Sequence, residues 1–267
     1  MKKLNLYQKE KIMSFVYPAG FAFVLGFMWQ TQLLHKILGT DTFTLPLPAR
    51  IFAILFDNWE TILKNVQATM TVAIIGLLLG SVIGYLLAVL ATALPKWGMG
   101  GLNMASAFSA VPIIAIAPIM NNLTKDVSDD PNLRSMVAKI LVVMLTCTVS
   151  MSTNAYRGFT ELRPFSRDLM KSFAASPKTI FMKLRIPNCM PYLFTALRVS
   201  VPASIISALV SEYFAEYIIG VGRQIRENIV LAQYATAWAY IITACILGIF
   251  MYAILLIAET ILLKGRS

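Results

Sequence analysis

Charged residues and histidine are scarce in this sequence. Only 13% of its 267 residues are charged, whereas 58% are hydrophobic, and soluble domains carry roughly 25% charged residues. Because there is too little polar sequence to cover a large soluble core, a soluble globular protein is excluded. The single histidine, His35, lies at the end of an apolar run. Alone it makes a poor metal site, and we expect an interfacial side chain.

The residues that catalytic and metal sites need are also missing. The three cysteines, Cys147, Cys189 and Cys245, form no C-x-x-C pair, so neither a disulfide framework nor a zinc site is expected. The acids are scattered, and no serine or further acid accompanies the lone histidine in a constellation typical of a membrane enzyme. We therefore predict no catalytic residue, no cofactor and no metal.

Long apolar runs are what the sequence has instead. Six of them are near the ~20 residues needed to cross a bilayer, at 14–35, 68–94, 102–121, 136–155, 192–218 and 236–262. We predict an all-α polytopic membrane protein with about six transmembrane helices. With the N-terminus inside, the inner segments hold 14 Lys and Arg residues and the outer segments hold 7. This bias predicts that both termini and the segment 156–191 are cytoplasmic.

Two of these runs carry features that predict local structure. In the second run, small residues recur every fourth position, which places them on one helix face and predicts close packing against another helix: Gly76, Gly80, Gly84 and Ala88. In the third run, Pro112 and Pro118 each remove a backbone donor. Each proline either borders a cavity or gate or is a tolerated kink. The residues before the second run, 45–70, predict an amphipathic helix on the outer surface.

A polar, basic segment, "DLMKSFAASPKTIFMKLRIP" (168–187), lies between the fourth and fifth runs. Ser166 is a candidate N-cap, and Ser176 followed by Pro177 is a second helix start signal. We expect two short helices that meet near Ala175, the second ending at Pro187. Such a basic and apolar helix pair either lies on anionic lipid or docks into the groove of a partner.

The segment resembles the coupling loop of ABC-importer permeases, the EAA motif E-A-A-x-x-x-G-x(9)-I-x-L-P. Asp168, Leu169 and Met170 take the E-A-A places, Ala174 takes the glycine place, and 184–187 takes I-x-L-P without a gap. The stretches "LPLPARIFAIL" (45–55), "AVPIIAIAP" (110–118) and "LRVSVPASIISALVSEYFAEYIIGVG" (197–222) look like other parts of the same family. The chain most resembles the branch that handles sulfonates, taurine, nitrate, and thiamine- or riboflavin-type precursors.

The resemblance implies a type I ABC importer permease fold in a bacterial-type plasma (inner) membrane. It divides the chain into residues 1–44, an N-terminal cytoplasmic segment and first transmembrane helix, and 45–265, a permease core with the coupling loop at 156–191. It implies three kinds of partner: cytoplasmic ABC ATPase subunits, a second permease subunit and an external substrate-binding protein. The chain has no G-x-x-x-x-G-K-[ST] phosphate loop, so ATP hydrolysis is expected on a separate subunit.

The resemblance also assigns candidate residues. The coupling segment must act as a rigid link to the ATPase, and its candidates are Asp168, Leu169, Met170, Phe173, Ala174, Ala175, Ser176, Pro177, Leu184, Ile186 and Pro187. Candidates for lining a translocation path are Ser109, Pro112, Asn154 and Glu212. Glu212 is alternatively a structural partner for a polar group on a neighbouring span. An ATP-independent secondary transporter and a structural membrane subunit remain alternatives, although no clear internal repeat typical of the former is present.

Overall fold

The computed structural model of the chain describes residues 6–94, 96, 98–107, 110–215 and 219–263, and these contain helices and no strands. The helices are α1 (Leu6–Gln30), α2 (Leu33–Leu38), α3 (Pro48–Asp57), α4 (Trp59–Ala93), α5 (Gly98–Ala107), α6 (Ile113–Leu123), α7 (Pro131–Thr160), α8 (Ser166–Ser172), α9 (Pro177–Ile180), α10 (Ile186–Tyr213), α11 (Val221–Val230) and α12 (Tyr234–Leu263).

Four helical stretches of the described chain are long and apolar enough to cross a bilayer. They are Trp59–Ala93, Pro131–Thr160, Pro177–Tyr213 and Tyr234–Leu263, and two shorter apolar helices lie at Val16–Gln30 and Ile113–Leu123. Each of the six apolar runs therefore contains an apolar helix, and the all-α polytopic class is confirmed. The third run differs from the prediction of one continuous span. It is divided between α5 and α6, and Pro112 is the N-cap of α6, whereas Pro118 lies inside that helix.

Helices α4 and α7 approach closely along the predicted face of small residues. A Cβ added at Gly76 would lie 2.5 Å from the Val143 Cβ, and one added at Gly80 would lie 2.5 Å from the Met144 carbonyl oxygen. One turn further, an added Cβ at Gly84 would lie 2.6 Å from the Thr148 carbonyl oxygen. Only glycine permits this approach, so the packing prediction is confirmed, with α7 as the partner helix.

The main core lies where α4, α7, α10 and α12 meet. Its buried side chains include Val72 and Leu77 of α4, Cys147 of α7 and Ile205 of α10. Many large apolar side chains on the outer faces of the same helices remain exposed, for example Leu78 at 60%. Apolar side chains thus occupy both the core and the outer faces of these helices. This is expected where the outer faces contact lipid rather than water.

The N-terminal part is joined to the core through α3 and the loop before it. The Trp29 and Trp238 rings meet edge to face at 5.5 Å, and Ile51 of α3 is fully buried. His35 is buried, and its Nε2 donates to the Leu45 carbonyl oxygen at 2.6 Å. The loop after α2 therefore covers the ring, and the interfacial position of His35 stays a prediction. The amphipathic helix predicted within 45–70 is present as α3, and the chain breaks at Asn58 before α4 begins.

Candidate coupling segment and buried polar junction

The first short helix of the segment, α8, begins one residue earlier than the sequence indicates. Phe165 is its N-cap, in the left-handed conformation with φ 62°. Ser166 therefore occupies the first helical position, and its hydroxyl donates to the Arg163 carbonyl oxygen at 2.7 Å. The prediction of Ser166 as N-cap is wrong for this reason.

A left-handed residue ends α8 and turns the chain. Ala174 has φ 52°, its N–H donates to the Lys171 carbonyl oxygen at 2.8 Å, and the Ala175 N–H donates to the Met170 carbonyl oxygen at 3.1 Å. These two bonds define a Schellman motif, in which glycine is the usual left-handed residue. Ala174 is the residue that aligns with the glycine of the EAA motif. The turn therefore forms without glycine, at the cost of placing a Cβ in an unfavourable backbone region.

The second short helix, α9, begins as the sequence predicts. Ser176 is its N-cap and accepts from the Thr179 N–H at 3.2 Å, with Pro177 at the first helical position. The helix does not end at Pro187, however, and this prediction is wrong. It continues through a π-helical segment, Phe181–Arg185, directly into α10.

The π-helical segment explains how the helix tolerates Pro187. In an α-helix the proline ring would clash with the carbonyl four residues earlier, that of Lys183. Here the Ile186 N–H donates to the Phe181 carbonyl oxygen, five residues back, and this widened turn provides room for the ring. One helical rod, Pro177–Tyr213, therefore joins α9 to a membrane-spanning helix.

The two short helices present opposite kinds of surface. On α8 and its flanks, Phe165, Leu169 and Phe173 are 83%, 60% and 77% exposed. They recur every four residues and form an apolar ridge that nothing in the described chain covers. Ile180 is buried instead, and the Phe181 ring packs on Phe159 of α7 at 5.3 Å. Ile180 and Phe181 therefore attach the segment to the membrane-spanning helices. The ridge on α8 remains exposed.

The remaining coupling candidates divide between these surfaces. Asp168, Ala174, Ser176, Pro177 and Pro187 are exposed, whereas Met170, Ala175, Leu184 and Ile186 are half-buried. Ile186 packs against a small cluster formed by Ala88, Ala155, Phe159 and Cys189. This cluster joins α4, α7 and α10 at the end of the bundle that carries α8 and α9.

At the other end of α10 lies a buried polar junction around Glu212, which is fully buried. Its Oε2 accepts from the Thr69 hydroxyl and from the Gly222 N–H, both at 2.9 Å. The Val221 N–H donates to the Thr69 Oγ1 at 2.9 Å, and the Gly220 N–H donates to the Asn65 Oδ1 at 2.9 Å. Side chains of α4 and α10 thus pair with the first amides of α11, which a helix leaves free.

Glycine at position 220 is required by this junction. Gly220 has φ 130°, and a Cβ there would overlap the Glu212 carboxyl group. The Oε1 of Glu212 has no hydrogen-bond partner among the described residues. Lys139 of α7 lies at the same end of the bundle, where its ammonium donates to the Ile219 carbonyl oxygen at 3.5 Å. The sequence indicated Glu212 but missed Asn65 and Thr69, although two polar residues four apart in an apolar helix are a signal for such a contact.

The candidate path residues lie in different parts of the molecule. Ser109 lies outside the described residues. Asn154 is half-buried and donates to the Ser150 carbonyl oxygen of its own helix at 2.9 Å. It lies 15 residues from Lys139 on α7, or about 22 Å along the helix axis. Asn154 and the Glu212 junction are therefore at different depths of the bundle, and Pro112 is exposed at the start of α6.

Arg198 of α10 and Glu259 of α12 form an ion pair between two apolar helices. The Arg198 Nε and Nη2 donate to the two carboxylate oxygens of Glu259 at 2.9 and 2.7 Å. A two-point geometry of this kind is among the stronger charge-assisted contacts. It neutralises two charges that would each be costly in a membrane-spanning helix.

Comparisons with known proteins agree with this architecture. A family model described as "Binding-protein-dependent transport system inner membrane component" matches residues 80–264. The chain is similar to the "Formylaminopyrimidine transport permease protein ThiX" of Halalkalibacterium halodurans, with 26% identity over 94% of this chain and 96% of the relative. It is also similar to a "Probable ABC transporter permease protein" of Haemophilus influenzae, with 26% identity over 71% of this chain and 74% of the relative. Over 32% of this chain and 30% of the relative, it is 27% identical to the "Bicarbonate transport system permease protein CmpB" of Synechocystis sp..

Proposed function

Because the chain belongs to the family of binding-protein-dependent transport system inner membrane components, we propose that it is the path-forming permease subunit of an ATP-driven importer. In this proposal residues 166–187 couple the path to a separate cytoplasmic ATPase. The family consists of transport components rather than catalytic enzymes.

The observation that carries the proposal is the shape of the segment 166–187. An exposed apolar ridge costs free energy in water, so the ridge of Phe165, Leu169 and Phe173 is suited to a hydrophobic groove on a partner. The turn at Ala174 joins the ridge to α9, and α9 is continuous with α10. A displacement of the ridge is therefore transmitted to a membrane-spanning helix instead of being absorbed by a flexible loop.

The arrangement in the membrane forms part of the same proposal. Both termini and the segment 156–191 face the cytoplasm, as the Lys and Arg bias predicts. Residues 1–44 form the N-terminal segment with its first helix, and 45–265 form the permease core. A second permease subunit completes the path, and an external binding protein delivers the solute. Ser109, Pro112, Asn154 and Glu212 are proposed to border the path or its gates.

The names of two relatives support a proposal for the class of solute. One is named for formylaminopyrimidine and another for bicarbonate. Both are small and polar, and we propose a small polar solute for this chain as well.

Charged substitutions on the segment test the proposal. We expect Phe173→Glu to abolish co-purification of the ATPase and ATP-driven uptake while the protein still inserts and melts normally, because Phe173 is 77% exposed. Leu184→Glu should lower the melting temperature instead, because Leu184 is half-buried. Leu231→Glu is the matched control, since Leu231 is also exposed, at 61%, but follows α11 at the other end of the bundle. If the Phe173 variant keeps its ATPase and transports normally, the coupling assignment is wrong.

Uptake without ATP would contradict the proposal in a different way. Vesicles that accumulate solute with a non-hydrolysable nucleotide and an ion gradient would favour the secondary-transporter alternative.

A further inference from the structure

A cleft of about 590 Å³ lies between the inner end of α4 and the short helices α8 and α9. Its apolar walls come from Val89 and Ala93 of α4 and from Ile180 and Phe181. Its lining residues on α8, at positions 167 and 171, alternate with the ridge residues at 165, 169 and 173 and so lie on the other side of that helix. Its size is within the range of small-molecule sites.

Three basic side chains line the cleft: Arg167, Lys171 and Arg185. No acidic residue lines it, and within the described ranges none of the three has a hydrogen-bond or ion-pair partner. Arg167 and Arg185 line the same cleft, and Arg185 is half-buried there. Like charges that share one cleft repel each other, and an anion bound among them would offset that repulsion.

We propose that this cleft binds the phosphate headgroup of an anionic phospholipid from the cytoplasmic leaflet. The shared chemistry is a phosphate ester anion, with the oxygens accepting from the two guanidinium groups and the lysine ammonium. The apolar walls distinguish a lipid from a free anion, because they provide contact for the glycerol and the first methylenes of an acyl chain. Basic pockets beside the cytoplasmic ends of membrane helices suit such headgroups.

The proposal rests on the cytoplasmic orientation given under the proposed function, and it adds a role for the side of α8 that faces away from the ridge. A lipid in the cleft would touch α4, α8 and α9 together. It would thereby stabilise the position of α8, and the ridge with it, relative to the membrane helices. One side of the segment would then contact anionic lipid, and the other would dock into the groove of a partner.

The test is lipid binding by the purified permease without its ATPase, so that failure of docking and failure of lipid binding are separate results. The protein is placed in phosphatidylcholine nanodiscs with and without phosphatidylglycerol. Retained lipid is measured by native mass spectrometry, and stability by thermal melting. We expect phosphatidylglycerol to bind preferentially and to raise the melting temperature.

A pair of matched double variants locates the site. Arg167→Gln with Arg185→Gln should weaken phosphatidylglycerol binding about 30-fold, because each guanidinium lines the cleft and loses its direct contact with the phosphate. Lys178→Gln with Lys183→Gln removes the same charge from exposed positions of the segment that do not line the cleft, and should leave binding within about twofold. Because Arg185 is half-buried, Lys171→Gln serves as a milder variant if the first pair melts early, with an expected loss of about fivefold.

Three results would overturn the proposal. The first is equal retention of phosphatidylglycerol and phosphatidylcholine. The second is an equal loss of binding in the Lys178 and Lys183 variant, which would indicate general surface charge. The third is protection by inorganic phosphate in neutral detergent that is as large as protection by the lipid, which would identify a soluble anion as the occupant.

Discussion

Replacing Gly80 with alanine tests the contact between α4 and α7. The added Cβ would lie 2.5 Å from the Met144 carbonyl oxygen and 2.8 Å from the Cys147 Cβ. The first of these is a backbone atom in the middle of a helix, so no side-chain rotation can relieve the overlap. The two helices must separate locally, and neighbouring contacts such as that at Gly84 must loosen with them.

The magnitude follows from two opposing effects. Overpacking a well-packed contact costs about 1–3 kcal/mol, whereas alanine in a helix interior is favoured over glycine by roughly 0.5–1 kcal/mol. The net loss is centred on about 1.3 kcal/mol, which for a chain of this size lowers the melting temperature by roughly 3–5 °C.

Gly248→Ala in α12 is the matched control. Nothing lies within 4 Å of the Cβ that would be added there, so only the gain in helix propensity remains. The same substitution in two membrane-spanning helices should therefore change the melting temperature in opposite directions, measured in one detergent by intrinsic fluorescence. If Gly80→Ala melts at or above the wild type, the close approach of α4 and α7 is not as described.

Substitutions at three further positions test local features of the structure. Ala174→Gly should raise the melting temperature slightly. Glycine relieves about 1–2 kcal/mol of strain in the left-handed conformation, which exceeds the about 0.4–1 kcal/mol lost because glycine gives the unfolded chain more conformational freedom. A lower melting temperature than that of the wild type would contradict the left-handed turn at this position. Glu212→Ala should lower the free energy of unfolding by about 1–3 kcal/mol for each donor left unpaired. Glu212→Gln should lower it less, because the amide oxygen can still accept from the Gly222 N–H. Equal melting temperatures of both variants and the wild type would refute the junction. The hydrogen bond from Arg157 holds the pKa of Glu161 below its usual 4.5. The stabilisation of the folded state by this ion pair is therefore present at neutral pH and is lost as the pH falls through the lowered pKa of Glu161. Wild type and Glu161→Gln should therefore melt apart at neutral pH and converge in acid, and a constant difference would contradict the assignment.

Features that depend on one helix were predictable from the sequence. The apolar runs gave the membrane-spanning class, and the step of four from Gly76 to Ala88 indicated a packing face. Ser176 and Pro177 marked the start of α9 through purely local chemistry. The face itself did not say which helix would pack on it, because that partner is set by the tertiary arrangement.

Features that depend on several segments were not predictable. The continuation of α9 through Pro187 needs a π-helical turn, and proline alone indicates an end. The Glu212 junction gathers Asn65 and Thr69 with the amides of Gly220–Gly222, across more than 140 residues of chain. The Arg198–Glu259 pair is of the same kind: each charge was visible in its own span, but only the crossing of α10 and α12 brings them together.

Site-specific photo-crosslinking tests the coupling claim most directly. A benzophenone side chain placed at Phe173 in intact membranes should form an adduct with the cytoplasmic ATPase subunit, and one placed at Phe56 of α3, which is 78% exposed, should not. The yield at position 173 should change when ATP is bound, because the ridge is expected to move with the ATPase. An adduct at position 56 instead, or an adduct at 173 with lipid alone, would contradict the account.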